Sequence, residues 1–333
     1  MSTNQKGKKP QRINVLSIDG GGIRGIIPAM VLSEIESRTG KRICQLFDII
    51  AGTSTGGILA LGLTKPESPG SSEPAFKAAD LVGLYEDNGQ AIFPKNAWGK
   101  LGTIFRAQYP ALGIEALLDK YFENSRLKDA LTRVIITSYD VENRNAFFFR
   151  SANAKIAAIQ ESYDYPMKYV ARATSAAPTY FPPAKIPKGA TKEYWPLVDG
   201  GVFANNPAMC AYVEALGLNP NAEICVVSLG TGEAQQTSYA DKADTWGLLG
   251  WARPIITITM DGPGDTVDYQ LKKLLHTRNY YRFQTKLTNV SDALDKTDAA
   301  NIKRLKEITE EMITEQNERI KKACSRLLEN KKV

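Results

Sequence analysis

"DIIAGTSTGGILAL", residues 48–61, passes from an apolar run through a knot of Gly, Ser and Thr into a second apolar run. A short apolar run meeting glycines, then small apolar residues, reads as a buried strand, a sharp turn and a helix. Inside the turn, Gly52-Thr53-Ser54-Thr55-Gly56 fits G-x-S-x-G, the strand-to-helix elbow that lifts a serine hydroxyl clear of the backbone as a nucleophile. A plain βα turn with a solvated serine satisfies the same letters, so the surrounding sequence has to decide.

Upstream, "INVLSIDG" (13–20) is another buried strand ending in an acid and glycines. Residues 24–38 carry apolar side chains at helical spacing and stop at Gly40. Strand, loop, helix, strand, elbow, helix is the grammar of a parallel sheet covered by helices. Downstream, 64–74 reads as a surface loop and 76–89 and 113–122 as helices. Residues 132–151 read as two strands joined at a Glu-Asn-Arg-Asn turn. "YPMKYVARATSAAPTYFPP" reads as a helix halted by Pro178, Pro182 and Pro183, and 193–208 as a strand running into an Asp-Gly-Gly turn, with Pro207 opening a helix. Residues 222–232 are one more strand ending in glycines. The tail reads as one long amphipathic helix with Ile302, Leu305, Ile308, Met312 and Ile313 on its stripe. No repeat or linker interrupts the chain, and one domain is expected, with 1–12 as a frayed basic leader, 13–290 as the catalytic part and 291–333 as the helical tail.

The 333 residues suffice for one large α/β domain, and 43% hydrophobic with 23% charged residues is ordinary globular composition. Of the net charge of +6, Lys6, Lys8, Lys9 and Arg12 supply four, which leaves too little to argue for a nucleic-acid footprint. The leader has no apolar core of a signal peptide and no stretch is long enough to span a bilayer, so a cytoplasmic protein is expected. Four cysteines without a C-x-x-C pair, and one histidine, offer little for zinc; carboxylates alone could still hold Mg²⁺ or Ca²⁺.

"DGGGIRG" (19–25) contains Gly20-x-Gly22-x-x-Gly25, a match to the dinucleotide-binding fingerprint, yet the expected acid at the end of the second strand is missing, because Asp48 stands at its start. Successive glycines at a helix N-terminus also make an anion nest, able to hold a phosphate or the oxyanion of acyl transfer. Both glycine turns follow strands of one parallel sheet, so both fall on its C-terminal edge, where such folds bind ligands. A serine nucleophile wants a base. His276, in "QLKKLLHTRNYYRF", has no acid to orient it, whereas Asp199 ends an apolar strand ahead of Gly200-Gly201, a third glycine turn that could open on the same edge. Its alternative role is to cap the helix that follows.

With "DGGGIRG", "GTSTGG" and "DGG" in this order, reinforced by "ITSYDVENRNAFFFRS", "ATSAAPTYFPP" and "CVVSLGTGE", the chain resembles the patatin-like phospholipase family over residues 13–232. The resemblance implies a three-layer α/β/α sandwich with a mainly parallel sheet. It implies a serine lipid acyl hydrolase working through an acyl-enzyme without metal or cofactor. Residue by residue it implies Ser54 as nucleophile in an elbow flanked by Gly52 and Gly56, Asp199 as base in a turn with Gly200 and Gly201, and Gly20, Gly21 and Gly22 as the oxyanion loop with Arg24 beside it.

A phospholipid or related acyl lipid is the expected partner, met by peripheral contact with a membrane. Trp246, Leu248, Leu249 and Trp251 in 246–260, and Trp98, Ile104 and Phe105 with Lys100 and Arg106 in 96–110, are candidates for a mobile cap or an interfacial contact, core packing being the competing role. A homodimer, a latent effector switched on by a partner or small signalling molecule, and a phosphate- or nucleotide-binding module without hydrolysis remain open alternatives.

Overall fold

The computed structural model describes residues 11–94, 107–189, 191–234, 243–244 and 247–329. Strands β1 (Arg12–Ile18), β2 (Ile49–Gly52), β3 (Arg133–Asp140), β4 (Asn145–Arg150), β5 (Ala184–Pro187), β6 (Tyr194–Asp199), β7 (Glu223–Leu229) and β8 (Tyr280–Phe283) form one sheet in the order β5-β6-β3-β2-β1-β7-β8, with β4 paired to β3. The pairs β1–β2, β1–β7, β2–β3 and β7–β8 are parallel; β4, β5 and β6 join by antiparallel pairing. The central strands are apolar on both faces because helices cover both. Leu16, Ile18, Ile50 and Ile136 belong to the core under α1 (Ile26–Thr39), α2 (Thr55–Gly62), α3 (Ala78–Ile92), α4 (Leu112–Phe122) and α5 (Met167–Thr174). After the one-turn α6 (Gly201–Ala204), Ile13, Val15, Ile49, Ala51 and Val226 face the thinner layer made by α7 (Ala208–Leu218) and α8 (Leu248–Leu274). The expected three-layer α/β/α sandwich is the fold observed.

One register places the site. β3 carries β4 along one edge over Ile135–Asp140. Its other edge is shared end to end. β2 pairs at the start, with Gly52 opposite Ile136, and β6 pairs at the finish, with Asp199 opposite Ser138. Since β6 runs antiparallel to β3, it is aimed at the end of β2, and its last residue arrives beside the elbow. The Asp-Gly-Gly turn reaches the edge that holds the elbow because β6 points at it, not as the trailing end of another parallel strand.

Three local readings are corrected. The tail is two helices, α9 (Ala299–Glu315) and α10 (Asn317–Leu328), because Gln316 leaves helical geometry (φ −97°, ψ 17°) while its side-chain amide donates to Gln284 O. Arg12 is not part of a frayed leader: it opens β1, and its guanidinium donates to Arg326 O and to the carboxylates of Glu223 and Glu329. The helix of "YPMKYVARAT" ends at Thr174, short of the prolines. Trp98, Lys100, Ile104, Phe105, Arg106 and Trp246 lie outside the described residues, as do the side chains of Leu248 and Leu249.

Candidate active site

The elbow forms because β2 and α2 have to turn within two residues. Ser54 takes φ 54°, ψ −123°, a region that side chains avoid, and its hydroxyl is thereby turned away from both elements. The turn is held on all sides. Ser54 N–H donates to Thr174 Oγ1 (2.8 Å), and Thr53 Oγ1 donates to Ala204 O (2.6 Å) and accepts from Thr137 Oγ1 (2.7 Å). Gly56 has to be glycine for lack of room: a β-carbon there would stand 2.1 Å from Ile18 O. Gly52 lies equally close against Gly56 across the same turn.

Asp199 is buried beside this serine. Its Oδ1 accepts from Gly201 N–H at 2.7 Å, and its Oδ2 has no hydrogen-bond partner among the described residues. Burial pushes the carboxyl up to about 7, against the opposing pull of the Ser54 hydroxyl and the Gly201 N–H. The Ser54 hydroxyl is thus near enough to favour the charged carboxylate, although Oδ2 accepts no well-aligned bond. Gly200 lies flush against Thr137, on which the turn rests.

The glycine loop passes over the elbow. A β-carbon on Gly20 would stand 3.2 Å from Ser54 Cβ. Gly20 N–H donates to Asn205 O (3.1 Å), and Gly20 O accepts from Thr231 Oγ1 (2.7 Å). Gly20 is therefore clamped and its N–H occupied, which removes it from the set of free donors that the sequence suggests. No acceptor among the described residues takes the N–H groups of Gly21 and Gly22. Arg24 is buried beside them, its Nε donating to Gly21 O (3.3 Å); burial lowers its pKa, and the charges of Asp261 and Asp292 oppose that shift. Asp19, which begins the loop, is tied to Arg282 of β8 by a buried ion pair of 2.7 Å.

From Ser54 a narrow pocket runs inward between Ile58, Ile92, Phe93, Ile114, Phe181 and Leu294. Its walls are apolar and suit a hydrocarbon chain. His276 is elsewhere: exposed, between α8 and β8, it stands ahead of a parallel strand whose far end reaches the serine edge. Asp48 is likewise at the opposite edge, accepting from Asn14 N–H (2.7 Å), where no ribose held at the glycine loop could reach it. No cluster of metal-ligating side chains occurs among the described residues. Asn205, Thr231, Thr174, Thr137 and Arg282 escaped the sequence reading, since each acts through a contact far away in the chain. "NNP" after the Asp-Gly-Gly turn was the one local cue, a polar pair just ahead of a helix-opening proline.

The Patatin-like phospholipase family profile matches residues 16–212. Patatin-like protein 2 of Oryza sativa subsp. indica is 32% identical over 94% of this chain and 86% of its own length. Patatin-06 of Solanum tuberosum is 31% identical over 98% of this chain and 92% of its own. Among solved structures, VipD from Legionella pneumophila aligns with a TM-score of 0.43 at 14% identity, covering 93% of this chain and 67% of that one, a likeness too slight to bear on fold or chemistry. By profile and by curated relatives, the chain belongs to the patatin-like phospholipase family and is a carboxylic ester hydrolase of the lipid acyl hydrolase kind.

Proposed function

We propose that the chain is a phospholipase A or lysophospholipase in which Ser54 is the nucleophile and Asp199 its general base. The observation that carries this reading is the buried carboxylate of Asp199 beside a serine strained outward at the elbow. An ordinary carboxylate is a weak base for a hydroxyl, and a pKa of about 7 brings it to the range where proton transfer at neutral pH is efficient. Ser54 Oγ attacks the ester carbonyl as Asp199 takes its proton, and the N–H groups of Gly21 and Gly22 receive the oxyanion with Arg24 behind them. The leaving alcohol takes the proton back, and water then releases the fatty acid from the acyl-enzyme. The apolar pocket takes the acyl chain. Contact with a lipid surface is supported by Ile255 and Ile258, exposed on the same helix whose Met260 packs against Gly201. Arg12 to Val290, with Leu294 closing the pocket, form the catalytic part, and α9 and α10 its last helical layer.

Fatty acid release from mixed phospholipid–detergent micelles tests the reading. Ser54→Ala is expected to abolish release and Asp199→Asn to lower it by at least about 1000-fold. An Asp199→Asn variant with full activity would overturn the dyad.

A further inference from the structure

Two buried acceptor atoms close to Ser54 have no hydrogen-bond partner among the described residues: Asp199 Oδ2 and Asn205 Oδ1. The orientation of the Asn205 amide follows from its other end, where Nδ2 donates to Gly20 O at 3.4 Å. Its Oδ1 lies 2.3 Å from the position that a β-carbon on Gly20 would take, and Ser54 Cβ lies 3.2 Å from that same position. It also lies 3.2 Å from where a β-carbon on Gly201 would be, with Asp199 Oδ1 3.1 Å from that point. Asn205 Oδ1 thus lies close to both Ser54 and Asp199. Buried acceptors left unmatched are costly and rare, and two of them here lie close to the same serine.

We propose that Asn205 holds the water that deacylates Ser54. The inference rests on the Ser54–Asp199 reading. The water donates one hydrogen to Asp199 Oδ2 and the other to Asn205 Oδ1, which leaves a lone pair directed at the acyl carbon. As its oxygen bonds to that carbon, Asp199 takes the first proton. The second stays on the oxygen, which becomes the hydroxyl of the released acid. The acyl C–Oγ bond breaks, and the proton on Asp199 passes to Ser54 Oγ. Acylation needs no such water, so Asn205 acts on the second half of the reaction.

Rapid mixing with p-nitrophenyl butyrate separates the two halves, since the burst reports acylation per site and the steady state reports deacylation. In Asn205→Ala the ratio of deacylation to acylation rates is expected to fall about 10- to 100-fold. Butyryl-Ser54 should then accumulate by intact mass, and hydroxylamine, a nucleophile strong enough without an oriented base, should restore turnover. Asn205→Asp loses the donor to Gly20 and keeps the acceptor; near pH 9, with carboxylates ionised, its ratio should stay close to wild type. Burst amplitude counts folded sites, so partial misfolding leaves the ratios intact, and the isosteric variant serves if Asn205→Ala does not fold. An unchanged ratio in Asn205→Ala, or an equal loss of ratio in Asn205→Asp, would overturn the proposal and leave Asn205 as a clamp on Gly20. A wild type that forms no acyl-enzyme would instead sink the dyad, a separate result.

Discussion

Burial acts directly on Asp199. Its carboxyl is raised to about 7 because the charged form is the one burial penalises. In the proposed dyad only the ionised form takes the serine proton, so kcat/KM is expected to climb with pH to a plateau, with a midpoint near 7 in a pH-rate profile. The same shift bears on stability with a definite sign. The folded state holds this proton more tightly than the unfolded state, so stability is full below the unfolded value near 4 and declines as pH rises toward 7. Asp199→Asn removes the penalty. Its melting temperature should match wild type near pH 4 and exceed it at pH 8, by the equivalent of about 2–4 kcal/mol. A variant less stable than wild type at pH 8 would contradict the assigned cause. Ser54 and Asp199 could both be picked from local patterns. Asn205 could not, because nothing in "FANNPA" says that its side chain lies against a glycine 185 residues earlier.

At the scale of elements, the site is a junction of three turns, and Thr53 is its pin. Fully buried, it joins the elbow to β3 through Thr137 and to the short helix after Asp199 through Ala204 O. Thr53→Val keeps the shape and strands a buried hydroxyl and a carbonyl, at about 1–3 kcal/mol each. The expected result is a lower chemical-denaturation midpoint and a reduced kcat with KM nearly unchanged, because the proposed dyad loses its spacing while the apolar pocket does not. A fall in KM affinity alone would show that the pin serves binding instead. Strand and helix positions were largely readable, since hydrophobic period and glycine stops are local. The direction of β6 was not, because pairing partners are chosen by the whole sheet. The same holds for the break at Gln316, where the stripe of apolar residues continues and only the bond to Gln284 O marks a turn.

For the molecule as a whole, the tail is part of the core. Leu305, Ile308, Met312, Ile320, Ala323 and Leu327 sit in the same buried cluster as Ile27, Leu32 and Ile35 of α1. Leu327 O accepts from Asn14 Nδ2, and Arg326 O from Arg12, so the last helix is fastened to the first strand. Truncation after Asp298 is therefore expected to abolish cooperative unfolding rather than to remove a separable domain, as calorimetry would show by loss of the transition. Leu305→Ala should cost about 2–5 kcal/mol, spread over the entire protein as one shifted transition. A truncated chain with an unaltered melt would mean that the tail is an appendage.

The sequence by itself determined what is local: the alternation that makes strands buried on both faces, the glycines that allow backbone to approach backbone, the serine placed where a strand turns into a helix, and an acid at the end of another strand. These depend on near neighbours in the chain and on steric limits that hold in any fold. Only the tertiary structure decided that β6 would be aimed at the elbow, that burial would raise Asp199, that Gly20 would lose its free N–H to Asn205 O while Gly21 and Gly22 kept theirs, and that the lone histidine would stand at the wrong edge. Each of those depends on desolvation or on a partner distant in the chain, and both are properties of the packed chain.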